Sequence, residues 1–278
     1  MTLGRLSALL AVALVAGACS VGASLMTSPA PRAGATQTPS TASASLTIYA
    51  AASLKAALAR VKTAYETAHP GTTLTISTDS SSAIEAKIEL GAPADVFLSA
   101  DTTNPQKVVD EGLASGSVVP FAGNLLTIIV PTANPANIQN PSDLARGGIK
   151  VIAAGDTVPI TKYATLLVAN LAKEAGYPAD FAARYAANVR SKEDNVAAVV
   201  AKIELGEGDA AIVYVTDAKT STKVTTVTVP PAANIPATYG GVVVKASAHG
   251  TAAAAFLAWL AGPEGEALLS SLGFRAPA

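Results

Sequence analysis

From Leu46 onward, apolar positions recur in two alternating rhythms. Leu46-Thr47-Ile48-Tyr49-Ala50 has the β-branched and aromatic character of a strand, and Leu54 to Ala68 carries Leu54, Leu58, Val61 and Tyr65 at helical spacing. His69-Pro70-Gly71 stops that helix. The exchange then repeats. Thr72 to Ser77 predicts a second strand, and Ala83 to Leu90 a second helix ended by Gly91. Val96 to Ser99 predicts a third strand and Pro105 to Glu111 a third helix. This β-α-β-α-β order predicts a mainly parallel sheet with helices on both faces.

The apolar run Leu125 to Val130 predicts passage into a second domain with the same rhythm. Strands are expected at Ile149–Ala153, Ala210–Tyr214 and Lys223–Val229, and helices at Tyr163–Ala175 and Val196–Leu205. Pro-Thr-Ala-Asn-Pro at 131–135 reads as a turn, and Pro230-Pro231 marks a boundary. Gly241 to Lys245 then reads as a strand returning to the first domain, closed by helices over Thr251–Leu260 and Pro263–Leu272. The expected architecture is α/β and two-lobed, with two mainly parallel sheets flanked by helices. Residues 46–124 with 234–278 form domain I, and 125–233 form domain II. Two crossings between the lobes leave a cleft outside the carboxyl ends of the strands, where ligands bind in such sheets.

The first 18 residues follow another logic. Arg5 precedes an apolar run from Ala8 to Ala16, and the small residues Gly17 and Ala18 lead into Cys19. The run is too short for a permanent span, which needs about 20 apolar residues, and it has the layout of a secretory signal peptide. Ala16-Gly17-Ala18-Cys19 resembles a bacterial lipobox, with Ala16 in place of the usual leucine; the other reading is an ordinary cleaved signal followed by an incidental cysteine. Cys19 is the only cysteine, so the fold relies on its core and not on internal disulfides. Residues 19–45, rich in Ser, Thr, Ala, Pro and Gly, read as a flexible tether.

Net charge is −1, which gives no footing for a nucleic-acid partner. Two histidines and one cysteine offer no metal-ligand cluster. No Gly-x-Ser-x-Gly appears, and neither His69 nor His249 is placed by a known pattern to activate a serine. The chemistry sits at four strand-to-helix junctions: Ala50-Ala51-Ala52-Ser53, Asp79-Ser80-Ser81-Ser82, Gly155-Asp156-Thr157-Val158-Pro159-Ile160, and Glu193-Asp194-Asn195-Val196. Helix starts carry free backbone N–H groups and a positive dipole end. Serines there either cap the helix or donate to a ligand. Several such ends converging on one cleft prefer an anion.

Taken in order, Ala50-Ala51-Ala52-Ser53-Leu54, Ser80-Ser81-Ser82, and Gly91-Ala92-Pro93-Ala94-Asp95-Val96-Phe97-Leu98-Ser99-Ala100-Asp101 resemble the periplasmic molybdate-binding proteins of ABC transporters. Gly155-Asp156, Val158-Pro159, Asn195-Val196, Ile212-Val213-Tyr214 and Gly262-Pro263-Glu264-Gly265 extend the likeness over almost all of Leu46–Ala278. The resemblance implies a type II periplasmic-binding fold that holds molybdate, and tungstate with it, by hydrogen bonds alone, without a cofactor or catalytic group. It places the ligand contacts on Ser53, Ser81, Ile160, Val196 and Tyr214, the molybdenum being held only as its oxyanion. It implies delivery of the ion to an ABC permease; a monomer is expected, and the lipobox-like Ala16-Gly17-Ala18-Cys19 implies a lipid on Cys19 that anchors it at the outer face of the cytoplasmic membrane. Asp79 ahead of the serines, and Ile160-Thr161-Lys162 where small residues are common, depart from the family's pattern. Asp79, as a carboxylate, is expected to turn away from the anion, and Asp95 and Asp101 to be structural. Other tetrahedral oxyanions (sulfate, phosphate), an exported serine hydrolase using Ser53 or Ser81, and a surface interaction domain are the alternatives.

Overall fold

A computed structural model describes residues 44–278; the leader, Cys19 and the tether as far as residue 43 lie outside the described residues. The chain runs through β1 (Ala44–Ala51), a 3-10 turn at Ala52–Leu54, α1 (Lys55–Ala68), β2 (Thr72–Asp79), α2 (Ser81–Glu89), β3 (Val96–Ser99), α3 (Thr103–Asp110) and β4 (Val119–Asn124). Next come β5 (Leu126–Pro131), a 3-10 turn at Pro141–Ala145, β6 (Val151–Ala154), α4 (Pro159–Leu171), α5 (Phe181–Asn188), β7 (Val189–Glu193), α6 (Val196–Glu204), β8 (Ala211–Tyr214), α7 (Val215–Lys219) and β9 (Val224–Val227). The chain closes with β10 (Ala237–Val243), α8 (Gly250–Leu260) and α9 (Pro263–Ser271).

The first sheet has the order β2-β1-β3-β10-β4. β1 lies parallel to β2 and β3, as expected of strands joined through α1 and α2. Ala44 and Ser45, expected in the tether, already pair with Thr72 and Thr73, so the strand begins inside that segment. β10 is antiparallel to both β3 and β4. In the second half of the chain, β5 is antiparallel to β8 and β9, and only β6 and β7 form a parallel pair. The expectation of two mainly parallel sheets therefore holds for β1–β3 and needs correction elsewhere, since the described residues form three sheets, of five, three and two strands. The reason is connectivity: β5 and β10 each follow another strand, β4 and β9, with no helix between, so neither enters its sheet through the crossover that sets a parallel neighbour.

Four elements went unread in the sequence. β4 contains Pro120 and Gly123, which argue against a strand, but β4 is the edge of its sheet, where proline is tolerated. Gly123 is needed there, because the C-terminal tail exchanges two backbone hydrogen bonds with it through Arg275 (2.6 and 2.8 Å), and a Cβ would lie 2.4 Å from the Ala276 carbonyl oxygen. α5, β7 and α7 are short, and their apolar residues do not form a distinct period. α4 starts at Pro159, ahead of the expected Tyr163, because proline fits the first helical position.

The two crossings lie side by side and are stitched together by asparagine. Asn234 accepts from the Leu126 amide (3.1 Å) and donates to the Leu126 carbonyl (2.8 Å). Asn124, the last residue of β4, accepts from the Leu125 amide (3.0 Å) and donates to the Thr216 hydroxyl (2.8 Å). Leu46, Ile48, Val96 and Leu98 of the first sheet and Ile128, Ile129, Ile212 and Val213 of the second belong to one buried apolar cluster. That core fixes the carboxyl ends of the strands, from which the site is built.

Candidate functional site

All five residues singled out in the sequence line one small cavity, together with Ala51, Ala52, Ser80, Ala100, Val158, Pro159 and Asn195. No charged side chain is among them. The cavity encloses about 210 Å³ even with its open mouth counted, below the roughly 300–1,000 Å³ typical of sites for drug-sized organic ligands. The wall suits an ion of a few heavy atoms.

The hydroxyls are not used as helix caps. α2 is capped by Ser80, whose side chain accepts from the Ala83 amide at 3.3 Å. Ser81, the next residue, instead accepts from the Ala100 amide at 3.1 Å, across the gap to the end of β3. Ser53 lies in the 3-10 turn after β1, makes no cap, and accepts from the Tyr239 hydroxyl at 3.0 Å. A hydroxyl that accepts one hydrogen bond from a donor-only amide keeps its own proton to give. The capping alternative is thereby removed for both serines.

Three helix starts meet at the cavity. Pro159 opens α4 and has no N–H, so Ile160 presents the first amide of that helix. Val196 opens α6 after Asn195, whose side chain caps the helix by accepting from the Ala198 amide at 3.1 Å. Ser81 opens α2. The amides of the first helical turn have no intrahelical acceptor, and the dipole there favours negative charge.

Tyr214 ends β8 and completes the wall. It is 1% exposed, and its hydroxyl oxygen has no hydrogen-bond partner among the described residues. Buried hydroxyls are nearly always paired, and leaving one unpaired costs about 1–3 kcal/mol. Burial, with Tyr239, Tyr163 and nearby carboxylates adding to it, pushes the Tyr214 hydroxyl well above its ordinary pKa, so it stays protonated as a donor. Burial likewise pushes Tyr163 up to about 12.

Charges stand back from this lining. Burial raises the Asp79 carboxyl, but hydrogen bonds from Lys87 (2.8 Å) and the Ser80 amide (2.8 Å) outweigh it and leave the group below its ordinary value. Asp79 faces an outer groove with Lys192 and Asp194, turned from the cavity as expected. Lys162 reaches Thr103 (3.2 Å) instead of the site. Asp95 accepts from the Thr47 amide (2.6 Å), and Asp101 from Ser99 and Asn104, both at strand and helix ends. His69 stacks on Tyr65 and His249 sits by Asp95, so neither approaches Ser53. Sequence reasoning missed Tyr239, Asn124 and Ala100, the groups behind the serines. They lie far along the chain from Ser53 and Ser81, and no spacing ties them to those positions.

Comparison with known proteins places the family and the fold. Residues 46–275 match the family described as bacterial extracellular solute-binding protein. The molybdate-binding protein ModA of Mycobacterium tuberculosis (strain H37Rv) is 32% identical over 277 residues, 99% of each chain. The periplasmic molybdate-binding protein of Azotobacter vinelandii superposes with a TM-score of 0.71 at 23% identity, over 84% of this chain and all of that one. The sulfate-binding protein SubI of M. tuberculosis superposes with a TM-score of 0.74 at 25% identity, over 84% of this chain and 87% of that one. With a type II periplasmic-binding fold and a donor-lined cavity at the strand ends, the chain belongs to the bacterial extracellular solute-binding proteins.

Proposed function

We propose that this protein captures molybdate, and tungstate with it, outside the cytoplasm and passes it to an ABC permease. The observation that carries the reading is the Tyr214 hydroxyl, without a hydrogen-bond partner among the described residues, in the wall of a small uncharged cavity where three helix starts meet. A dianion would receive the hydroxyls of Ser53, Ser81 and Tyr214 and the amides of Ile160 and Val196. Each hydrogen bond to a charged group contributes about 1.5–3 kcal/mol. The protein acts by binding and release, a reading supported by Ser53 being paired with the Tyr239 hydroxyl and not with a histidine among the described residues. Residues 46–124 with 234–278 move as one body against 125–233, closing on the ion. The leader directs export, and acylated Cys19 holds a monomeric body at the outer face of the membrane.

The test is thermal melting with oxyanions. A ligand present at 1,000 times its Kd adds about 4.1 kcal/mol, so molybdate and tungstate should raise the melting temperature clearly and sulfate should do little. A larger shift with sulfate or phosphate would reassign the ligand to that ion, and no shift with any of them would refute oxyanion binding.

A further inference from the structure

Behind Ser53 lies a hydrogen-bonded chain that reaches the crossing between the two sheets. Ser53 Oγ stands 3.0 Å from the Tyr239 hydroxyl, and that hydroxyl stands 3.4 Å from Asn124 Nδ2. Tyr239 is 0% exposed and Asn124 1%. The direction of each bond follows from donor and acceptor chemistry. Asn124 Oδ1 accepts from the Leu125 amide at 3.0 Å, which can only donate, so the other end of the side chain is its NH2. That NH2 donates to Thr216 Oγ1 (2.8 Å) and to the Tyr239 oxygen, and it cannot accept. The Tyr239 proton is thereby directed to Ser53 Oγ, and the Ser53 proton is left for the cavity that Ser53 lines.

We propose that Asn124 and Tyr239 are positioning residues that fix Ser53 as an obligate donor to the bound oxyanion, an inference that rests on the anion-binding function proposed above. A serine hydroxyl left alone turns between giving and accepting. This one is oriented before the ligand arrives, so less freedom is lost on binding. Asn124 ends β4 at the first crossing and also donates to Thr216 in the first turn of α7, so the same side chain ties the two sides of the passage between sheets.

The experiment is a double-mutant cycle read by calorimetric titration with molybdate. Tyr239→Phe keeps the ring and deletes the proton that orients Ser53. It should weaken binding about tenfold, roughly 1.4 kcal/mol. In the Ser53→Ala background the same change should alter affinity less than about twofold, because the relay then has no terminus. An equal loss in both backgrounds would show Tyr239 acting through packing alone and overturn the relay. Asn124→Asp supplies a second arm: its carboxylate still accepts from Leu125 but attracts the Tyr239 proton away from Ser53. It should reproduce the loss, and full affinity in that variant overturns the relay whether or not Tyr239→Phe folds. Unaltered protein that takes up no molybdate would instead defeat the functional reading, and the relay with it.

Discussion

Ser81 and Tyr214 face the same cavity but differ in what they do for the empty protein, and that difference separates their variants. Ser81 accepts from the buried Ala100 amide. Ser81→Ala should therefore weaken oxyanion binding by about 1.5–3 kcal/mol and also lower the stability of the ligand-free protein, since the stranded N–H costs about 1–3 kcal/mol. Tyr214→Phe removes a hydroxyl that has no partner among the described residues. Its affinity loss should be similar, with the ligand-free melting temperature unchanged or raised. Calorimetry and melting curves on both variants check the pair. A Tyr214→Phe protein that melts lower and binds normally would assign that hydroxyl to the fold.

At the scale of elements, the site depends on helix starts being held at the right angle. Asn195 caps α6 and stands beside Val196, which lines the cavity. Asn195→Ala should cost about 0.5–2 kcal/mol of stability and weaken binding as well, because the first turn carrying the Val196 amide loosens. Measuring both losses in one variant tests this, and a stability loss with intact affinity would remove Val196 from the ligand's contacts. The junctions before three helices were legible in the sequence, but only α6 begins where expected, at Val196; α2 and α4 begin at Ser81 and Pro159, ahead of the expected Ala83 and Tyr163. β3 fell within the bounds its four residues suggested. What stayed hidden depends on distant partners. β4 carries proline and glycine and is explained only by its place at a sheet edge, under the C-terminal tail. The antiparallel course of β5 and β10 depends on which distant strands they meet, which local periodicity does not record. Tyr239 looks like any buried strand residue until Ser53 is seen next to it.

For the whole molecule, the buried acid Asp217 makes stability depend on pH. Burial raises its carboxyl from 3.8 to about 8, against a smaller lowering by the Tyr214 amide it accepts at 3.2 Å. The folded state thus binds this proton more tightly than the unfolded chain does. Stability from this group is full below about pH 4, falls as the pH rises, and levels off above about pH 8, with a slope of at most about 1.4 kcal/mol per pH unit. Chemical denaturation at several pH values should show that decline, and Asp217→Asn should flatten it. An unchanged slope in the variant would assign the dependence to other groups. Anchoring is tested in the full chain: Cys19→Ala should move the protein from the detergent phase to the aqueous phase, and unchanged partitioning would refute the lipid. One feature of the first sheet also governs how the molecule comes into being. β10 sits between β3 and β4, although it is made long after both. Until it emerges, two strand edges stay open, and open edges invite pairing with other chains. The nascent polypeptide cannot complete this sheet from its N-terminal half, and closure of the last gap brings together segments far apart in sequence, a slow step. A chain threaded outward end-first would therefore meet little finished structure resisting its passage, and the last strand to arrive would be the one that seals it.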